Sequence, residues 1–428
     1  MTALWLALGA VSLAALVGWI VDRISGAPLR DRSPLAWLTF ITHGLAALTA
    51  TAMHPLLGVV ALAALVMWSR RSGTGLPEGT PSGPAIAVIA VVGVVITLQP
   101  PVPMAWDELV WLARARVGAE GPLALAARSL DPHGGLTPAG YPIGAGVLQA
   151  AFAGLDGDLT ALTSGTSALV LFAVATFVLV LRRSTEIAWG PVALVVMGAP
   201  LMWVHLRTGM LDLPLGLFAA AFAMALLGAG RGDATLVRLA PALAVVMSGL
   251  KDEGAMYVVV IVLGCMGQGS LRRGLRAHAG LAVLVAVAVV GAWRARLMFA
   301  GVSAEHHAAA GFAVGALPDL LRELVRAASD LRDFGASLAL VVAAMAMSLL
   351  TRRGDDAMAS ERALSLAWLA CIGCTLLALV VGPDAVRSFA TSGTLWPRFL
   401  VQLVPLGAIV VGARLGREAV PAHVAVPA

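Results

Sequence analysis

Lysine is almost missing from this chain: Lys251 is the only one, against 28 arginines. Tyrosine is nearly as rare, with two residues in 428, and charged residues of every kind make up only 12%. That shortage of charge, beside 59% hydrophobic residues and a mean hydropathy of +0.90, excludes an ordinary soluble domain. Cysteine is scarce too. Cys265, Cys371 and Cys374 all fall in apolar stretches, which excludes a disulfide framework. Cys371 and Cys374 form a C-x-x-C, but at helical spacing inside an apolar run they read as packing residues rather than redox or metal ligands. No fixed-period repeat is present, and the Gly/Pro/Ser/Thr-rich stretch Ser72 to Pro84 is the longest biased segment. Residues 1–21 lack a basic start and a convincing cleavage site, so they read as a first membrane helix rather than a cleaved leader.

What is present is a series of apolar runs. A spanning helix needs about 20 mostly apolar residues at ~1.5 Å each to cross ~30 Å of hydrocarbon. By that rule the expectation is an all-α polytopic membrane protein with about thirteen transmembrane helices. They are expected over 3–21, 34–53, 54–69, 85–101, 160–181, 187–204, 209–229, 234–250, 254–268, 278–298, 333–351, 362–381 and 397–413. Residues 1–71 form a three-span accessory region, 72–84 a flexible loop, 85–413 the main membrane domain, and 414–428 a tail.

Arginine sets the expected orientation. Arg23, Arg30, Arg32, Arg70, Arg71, Arg182, Arg183, Arg231, Arg238, Arg272, Arg273, Arg276, Arg352, Arg353, Arg362, Arg414 and Arg417 fall on the same side of the predicted spans. The positive side is expected to be cytoplasmic, with the amino terminus outside and the carboxyl terminus inside. These loops account for the basic balance, so no nucleic-acid partner is implied.

The acids Asp107 and Glu108 follow Trp106 just past the end of the fourth predicted span, and they open the long outer loop that runs to Tyr141-Pro142. Acids held beside a bilayer are functional candidates. The loop is expected to carry two short amphipathic helices lying at the interface, one over 107–117 and one over 123–130. In the first, Arg114 and Arg116 are expected to face headgroups. Residues 143–155 are apolar but too short to cross. More polar residues gather at predicted outer ends: His205, Arg207 and Asp212; the turn Lys251-Asp252-Glu253-Gly254; Arg294 and Arg296; Glu305-His306-His307; Arg387; and Arg398. In so arginine-biased a chain, one lysine suggests a task for a compact ammonium.

Four segments carry a resemblance: W-D-E-L-V-W-L-A-R-A-R from Trp106, Y-P-I-G from Tyr141, L-D-L-P-L-G-L-F from Leu211, and L-K-D-E-G-A from Leu250. In this order they resemble bacterial members of the GT-C glycosyltransferase superfamily, relatives of the protein mannosyltransferase and aminoarabinose transferase families. The resemblance covers roughly residues 85–413. It departs from the family pattern in K-D-E-G, where the family has K-N-E-G, and in Y-P-I-G, where it has Y-P-L-L. It implies a GT-C-like fold and transfer of a sugar from a polyprenyl-phosphate donor to an acceptor in protein, lipid or polysaccharide. The reaction is expected at the extracytoplasmic face of the cytoplasmic membrane.

That chemistry needs a carboxylate to take the acceptor's proton and cations to stabilise the departing phosphate. By position in the W-D-E motif Asp107 is the candidate base, with Glu108 beside it. Lys251, Arg398, Arg294 and Arg387 are candidates for the phosphate, and Arg207, on the outer turn before Asp212, is a further substrate-binding candidate. Asp212 and Glu253 can hold those cations or bind sugar hydroxyls, and Tyr141 can line the site. Each has a plainer alternative. Asp107, Glu108 and Asp212 suit helix starts; Lys251 and Glu253 suit a solvated ion pair; Arg387 and Arg398 suit headgroup contacts. Adjacent His306 and His307 are poor ligands for one ion. The reading requires no metal, although paired acids leave a divalent ion open. The rival class is a transporter or flippase, which repeats and mid-bilayer charges would favour. A non-catalytic descendant of such an enzyme is the third.

Overall fold

A computed structural model describes residues 20, 33–56, 83–98, 106–131, 136, 141–184, 186–206, 208, 210–267, 269–302, 311–351 and 356–418. Most of the expected spans 3–21 and 54–69 lies outside them. Among the described residues there is no strand.

The helices in chain order are α1 (Pro34–Met53), α2 (Gly83–Leu98), α3 (Trp106–Ala119), α4 (Pro122–Ser129), α5 (Gly144–Phe152) and α6 (Leu159–Arg183). After them come α7 (Trp189–Met197), α8 (Pro200–His205), α9 (Asp212–Gly230), α10 (Ala234–Leu250), α11 (Asp252–Met266) and α12 (Gly269–Phe299). The chain continues through α13 (Leu317–Ala328), α14 (Leu331–Phe334), α15 (Ser337–Leu350), α16 (Asp356–Val381), α17 (Asp384–Thr391) and α18 (Trp396–Glu418). Six of these are long and apolar enough to cross a membrane: α1, α6, α9, α12, α16 and α18; α10, α15 and part of α2 are shorter apolar helices. The architecture is that of a multi-pass membrane protein.

Local chemistry explains several boundaries. Ser33 accepts from the Ala36 N–H and Pro34 opens α1, where a missing N–H costs nothing. Asp233 accepts from the Thr235 and Leu236 N–H groups to start α10. The run 187–204, expected as one span, is two helices, α7 and α8. Ala199 is extended because Pro200 follows it and disfavours the helical conformation in the residue before.

The core is built around α9, which packs against α6, α10, α12 and α18. Its close approach to α18 depends on Gly216, where a Cβ would overlap the Gln402 backbone. Helix α1 packs on α10, and the His43 ring meets the Arg238 carbonyl at 3.0 Å. Arg296 of α12 donates to the Ala52 and Met53 carbonyls at the end of α1.

The two ends of the bundle differ in charge chemistry. At one end Arg183 pairs with Asp233 at 2.7 Å, Arg231 with Glu186 at 2.5 Å, and Arg414 with Glu361 at 3.9 Å. Arg183, Arg231 and Arg414 thus lie at the same end. At the opposite end α9 starts, α10 ends and α18 starts, and there the candidate site lies.

Candidate functional site

The turn between α10 and α11 is one residue long. Lys251 is extended and closes one helix while opening the next. So tight a reversal brings α11 across the end of α10, and a Cβ at position 254 would overlap the Met247 carbonyl oxygen. Gly254 is therefore what the K-D-E-G segment needs to turn Lys251 inward.

Lys251 reaches Asp212, the first residue of α9, with Nζ 2.8 Å from Oδ1. The two residues are 3% and 1% exposed. Asp212 does not serve as a side-chain cap for its helix; Leu211 holds the cap position and makes no side-chain bond there. Asp212 instead collects donors from two other directions. Arg398 donates Nε to Oδ2 at 3.2 Å, and Gln402, one turn further along α18, donates Nε2 to Oδ1 at 2.6 Å. Tyr257 donates its hydroxyl to Gln402 Oε1 at 2.6 Å, extending the network into the bundle. The helix start adds partial positive charge beside the carboxylate. Burial works against the Lys251 ammonium, but Asp212 and then Glu253 outweigh it and hold its pKa above the ordinary value.

The cluster extends sideways. Glu253 comes to 3.5 Å from Lys251, and its other carboxylate oxygen is buried with no hydrogen-bond partner. Asp252 pairs with Arg294 at 2.8 Å. Burial, with Glu253 adding to it against Arg294, pushes the Asp252 carboxyl up to about 6. His205 lies among the same charges, its ring held below the ordinary histidine value by burial; its Nδ1 is buried without a partner.

Tyr141 borders this group. Its carbonyl accepts from Arg114 at 3.3 Å and from the Trp293 indole at 3.1 Å, and Trp111 meets its ring edge to face at 5.3 Å. Burial, then the charge of Glu253, pushes the phenol up to about 12. This corrects one expectation: Arg114 does not face headgroups but is buried, because α3 crosses α5 closely at Gly146 and turns that side chain toward Tyr141.

Among the sequence candidates, Asp212, Lys251, Glu253 and Arg398 are thus joined directly, and Arg294 and Tyr141 border them. Arg387 stands apart: it pairs with Asp384 and donates to the Val380 and Gly382 carbonyls at the end of α16. Asp107 and Glu108 belong to the first turn of α3, and their side chains lie outside the described set, as do Arg207, Glu305, His306 and His307. Gln402 and Tyr257 did not figure among the sequence candidates, and Asp252 figured only as part of the outer turn. Gln402 sits four residues after Arg398 on the same helix face, and Tyr257 is one of two tyrosines; both signals were there to read.

Beside the cluster an apolar groove runs between α2, α6, α7, α8 and α9. Leu206 and Leu213, each the residue after a cluster member, line it together with Val92, Phe177, Val196 and Leu217. The charged cluster is a buried group of paired cations and carboxylates, and the groove that Leu206 and Leu213 reach is apolar throughout. Among the described residues no group of three or more metal-ligating side chains is present. No family model, curated protein or solved structure matches this chain.

Proposed function

We propose that this protein is a GT-C-like inverting glycosyltransferase. In this reading it moves a sugar from a polyprenyl-phosphate donor to an acceptor hydroxyl at the extracytoplasmic face of the cytoplasmic membrane. One observation carries it: Lys251 and Arg398, anchored on buried Asp212, stand at one end of the bundle beside an apolar groove.

The roles follow from the chemistry of inversion. Asp107 takes the proton of the acceptor hydroxyl as its oxygen bonds to the anomeric carbon, and Glu108 orients it. The bond from that carbon to the phosphate oxygen breaks, and its electron pair leaves with the lipid phosphate. Lys251 and Arg398 receive that charge, with Arg294 bordering them. Asp212, itself held by Gln402, keeps the two cations in place, and Glu253 and Tyr141 meet the sugar. Arg387 has no part. The prenyl chain lies along the apolar groove, and the scheme needs no metal.

The test is a reconstituted preparation offered a panel of radiolabelled polyprenyl-phosphate sugars, comparing wild type with Asp107→Asn and Arg398→Gln. Wild type should consume one donor. Asp107→Asn should abolish turnover with the protein still folded, and Arg398→Gln should slow it roughly 100-fold or more. If Asp107→Asn retains full activity, the base is wrong. If no donor is consumed while labelled lipid crosses the bilayer, the transporter reading replaces this one.

A further inference from the structure

Helix α13 has a three-sided surface. With 3.6 residues per turn, Leu320 and Ala327 fall on one side and are buried against the protein, with Leu317 and Leu324 half-buried beside them. Leu321 and Val325 fall on the next side and are 41% and 66% exposed. Asp319, Arg322 and Arg326 fall on the third, also exposed. A helix with one apolar side against protein needs only one such side. The second is a continuous apolar strip with nothing of this chain's described residues over it.

The strip's place in the fold points to its occupant. Helix α13 packs on α18, one of the long apolar helices. Arg326, paired with Glu323 at 2.6 Å, lies over Gly393 just before α18 begins. Gly393, with a φ of +81°, lies between α17 and α18, and the Arg326 and Glu323 side chains against it set α13 beside the start of α18. Phe389 of α17, which packs against α13, adds an exposed ring. An apolar side between protein and charge, at the end of spanning helices, is the pattern of a helix seated in a bilayer interface.

We infer that α13 is seated in the bilayer interface, with Leu321 and Val325 in the acyl region and Arg322 and Arg326 among headgroups. The inference stands apart from the proposed catalysis. Its consequence is positional: α13 fixes the membrane surface at the level where α18 begins, which puts Arg398 and the Asp212 cluster at headgroup depth rather than in the middle of the hydrocarbon.

The experiment places single nitroxide labels at Leu321→Cys, Val325→Cys, Arg322→Cys and Arg326→Cys, with Cys265, Cys371 and Cys374 replaced by alanine. Each protein is reconstituted in phosphatidylcholine–phosphatidylglycerol vesicles. Labels at 321 and 325 should be more accessible to oxygen than to a water-soluble nickel chelate, and labels at 322 and 326 the reverse. Four exposed sites in two pairs keep the result independent of any one variant's folding. Nickel access at all four positions would put the strip in water and overturn the inference. Exclusion of both reagents at 321 and 325, with spin–spin broadening, would mean a second copy covers the strip and would overturn it equally.

Discussion

Asp212 and Lys251, 39 positions apart in the chain, meet at 2.8 Å with almost no solvent reaching either. The pair acts as a unit. Removing one partner from a buried pair leaves the other charge without compensation, at about 3–5 kcal/mol, whereas an apolar replacement of both is often neutral. Lys251→Met alone should therefore lower the unfolding midpoint in detergent strongly, and Asp212→Leu alone more so, since it strands both Lys251 and Arg398. The double variant should be more stable than the sum of the two losses. Strict additivity in thermal unfolding would contradict a direct coupling.

Two glycines hold this geometry. Gly216→Ala inserts a Cβ against the Gln402 backbone, pushing α18 from α9 and with it Arg398 from Asp212. Gly254→Ala forces the Lys251 turn open at the Met247 carbonyl. Each should cost about 1–3 kcal/mol by overpacking. Gly280→Ala, where a Cβ meets nothing, is the control and should leave the unfolding midpoint unchanged or raised.

The deep end of the network gives a third expectation. Tyr257→Phe removes the donor to Gln402 Oε1 in a buried setting, leaving that oxygen short of a partner. A loss of about 1–3 kcal/mol should follow, more than for an exposed hydroxyl. Gln402→Glu would add a carboxylate beside Asp212, and its stability should recover on acidification. Midpoints measured across pH separate the two.

Asp252 carries a pH dependence of known sign. Its carboxyl is raised from 3.8 to about 6, burial being the main cause. Between those values the folded protein holds a proton that the unfolded chain has released, so stability falls as pH rises through that interval. Asp252→Asn cannot titrate. The difference in midpoint, wild type minus Asp252→Asn, should therefore move in the negative direction from about pH 4 to about pH 7 and then level. His205, buried and held below its usual value, contributes the opposite slope to both proteins and cancels. A difference that does not change with pH would mean Asp252 is unperturbed.

Much of the fold was legible because membrane helices are written in length and apolarity. The run expected over 34–53 is α1, that over 234–250 is α10, and those over 160–181 and 362–381 lie within α6 and α16. The break at Pro200 was legible too, since proline restricts the residue before it, yet length alone joined 187–204 into one span. The polar residues at one end could be named from sequence, but not how they pair. Arg398 and Arg387 read alike as arginines near helix starts; one reaches Asp212 and the other closes the end of its own neighbouring helix.

By itself the sequence determined the apolar, multi-pass helical character and the approximate extent of the long helices, because hydropathy, proline and capping act over a few residues. Only the tertiary structure decided that Asp212, Lys251, Arg398 and Gln402 form one buried group. That outcome depends on how close α9, α10 and α18 come, and closeness is set by small residues on facing helices. Gly216 acquires its meaning from Gln402, 186 residues further on, and no local pattern carries that. The inward turn of Arg114 has the same cause: the approach of α5 at Gly146, and not the composition of α3, chose which side of that helix is buried.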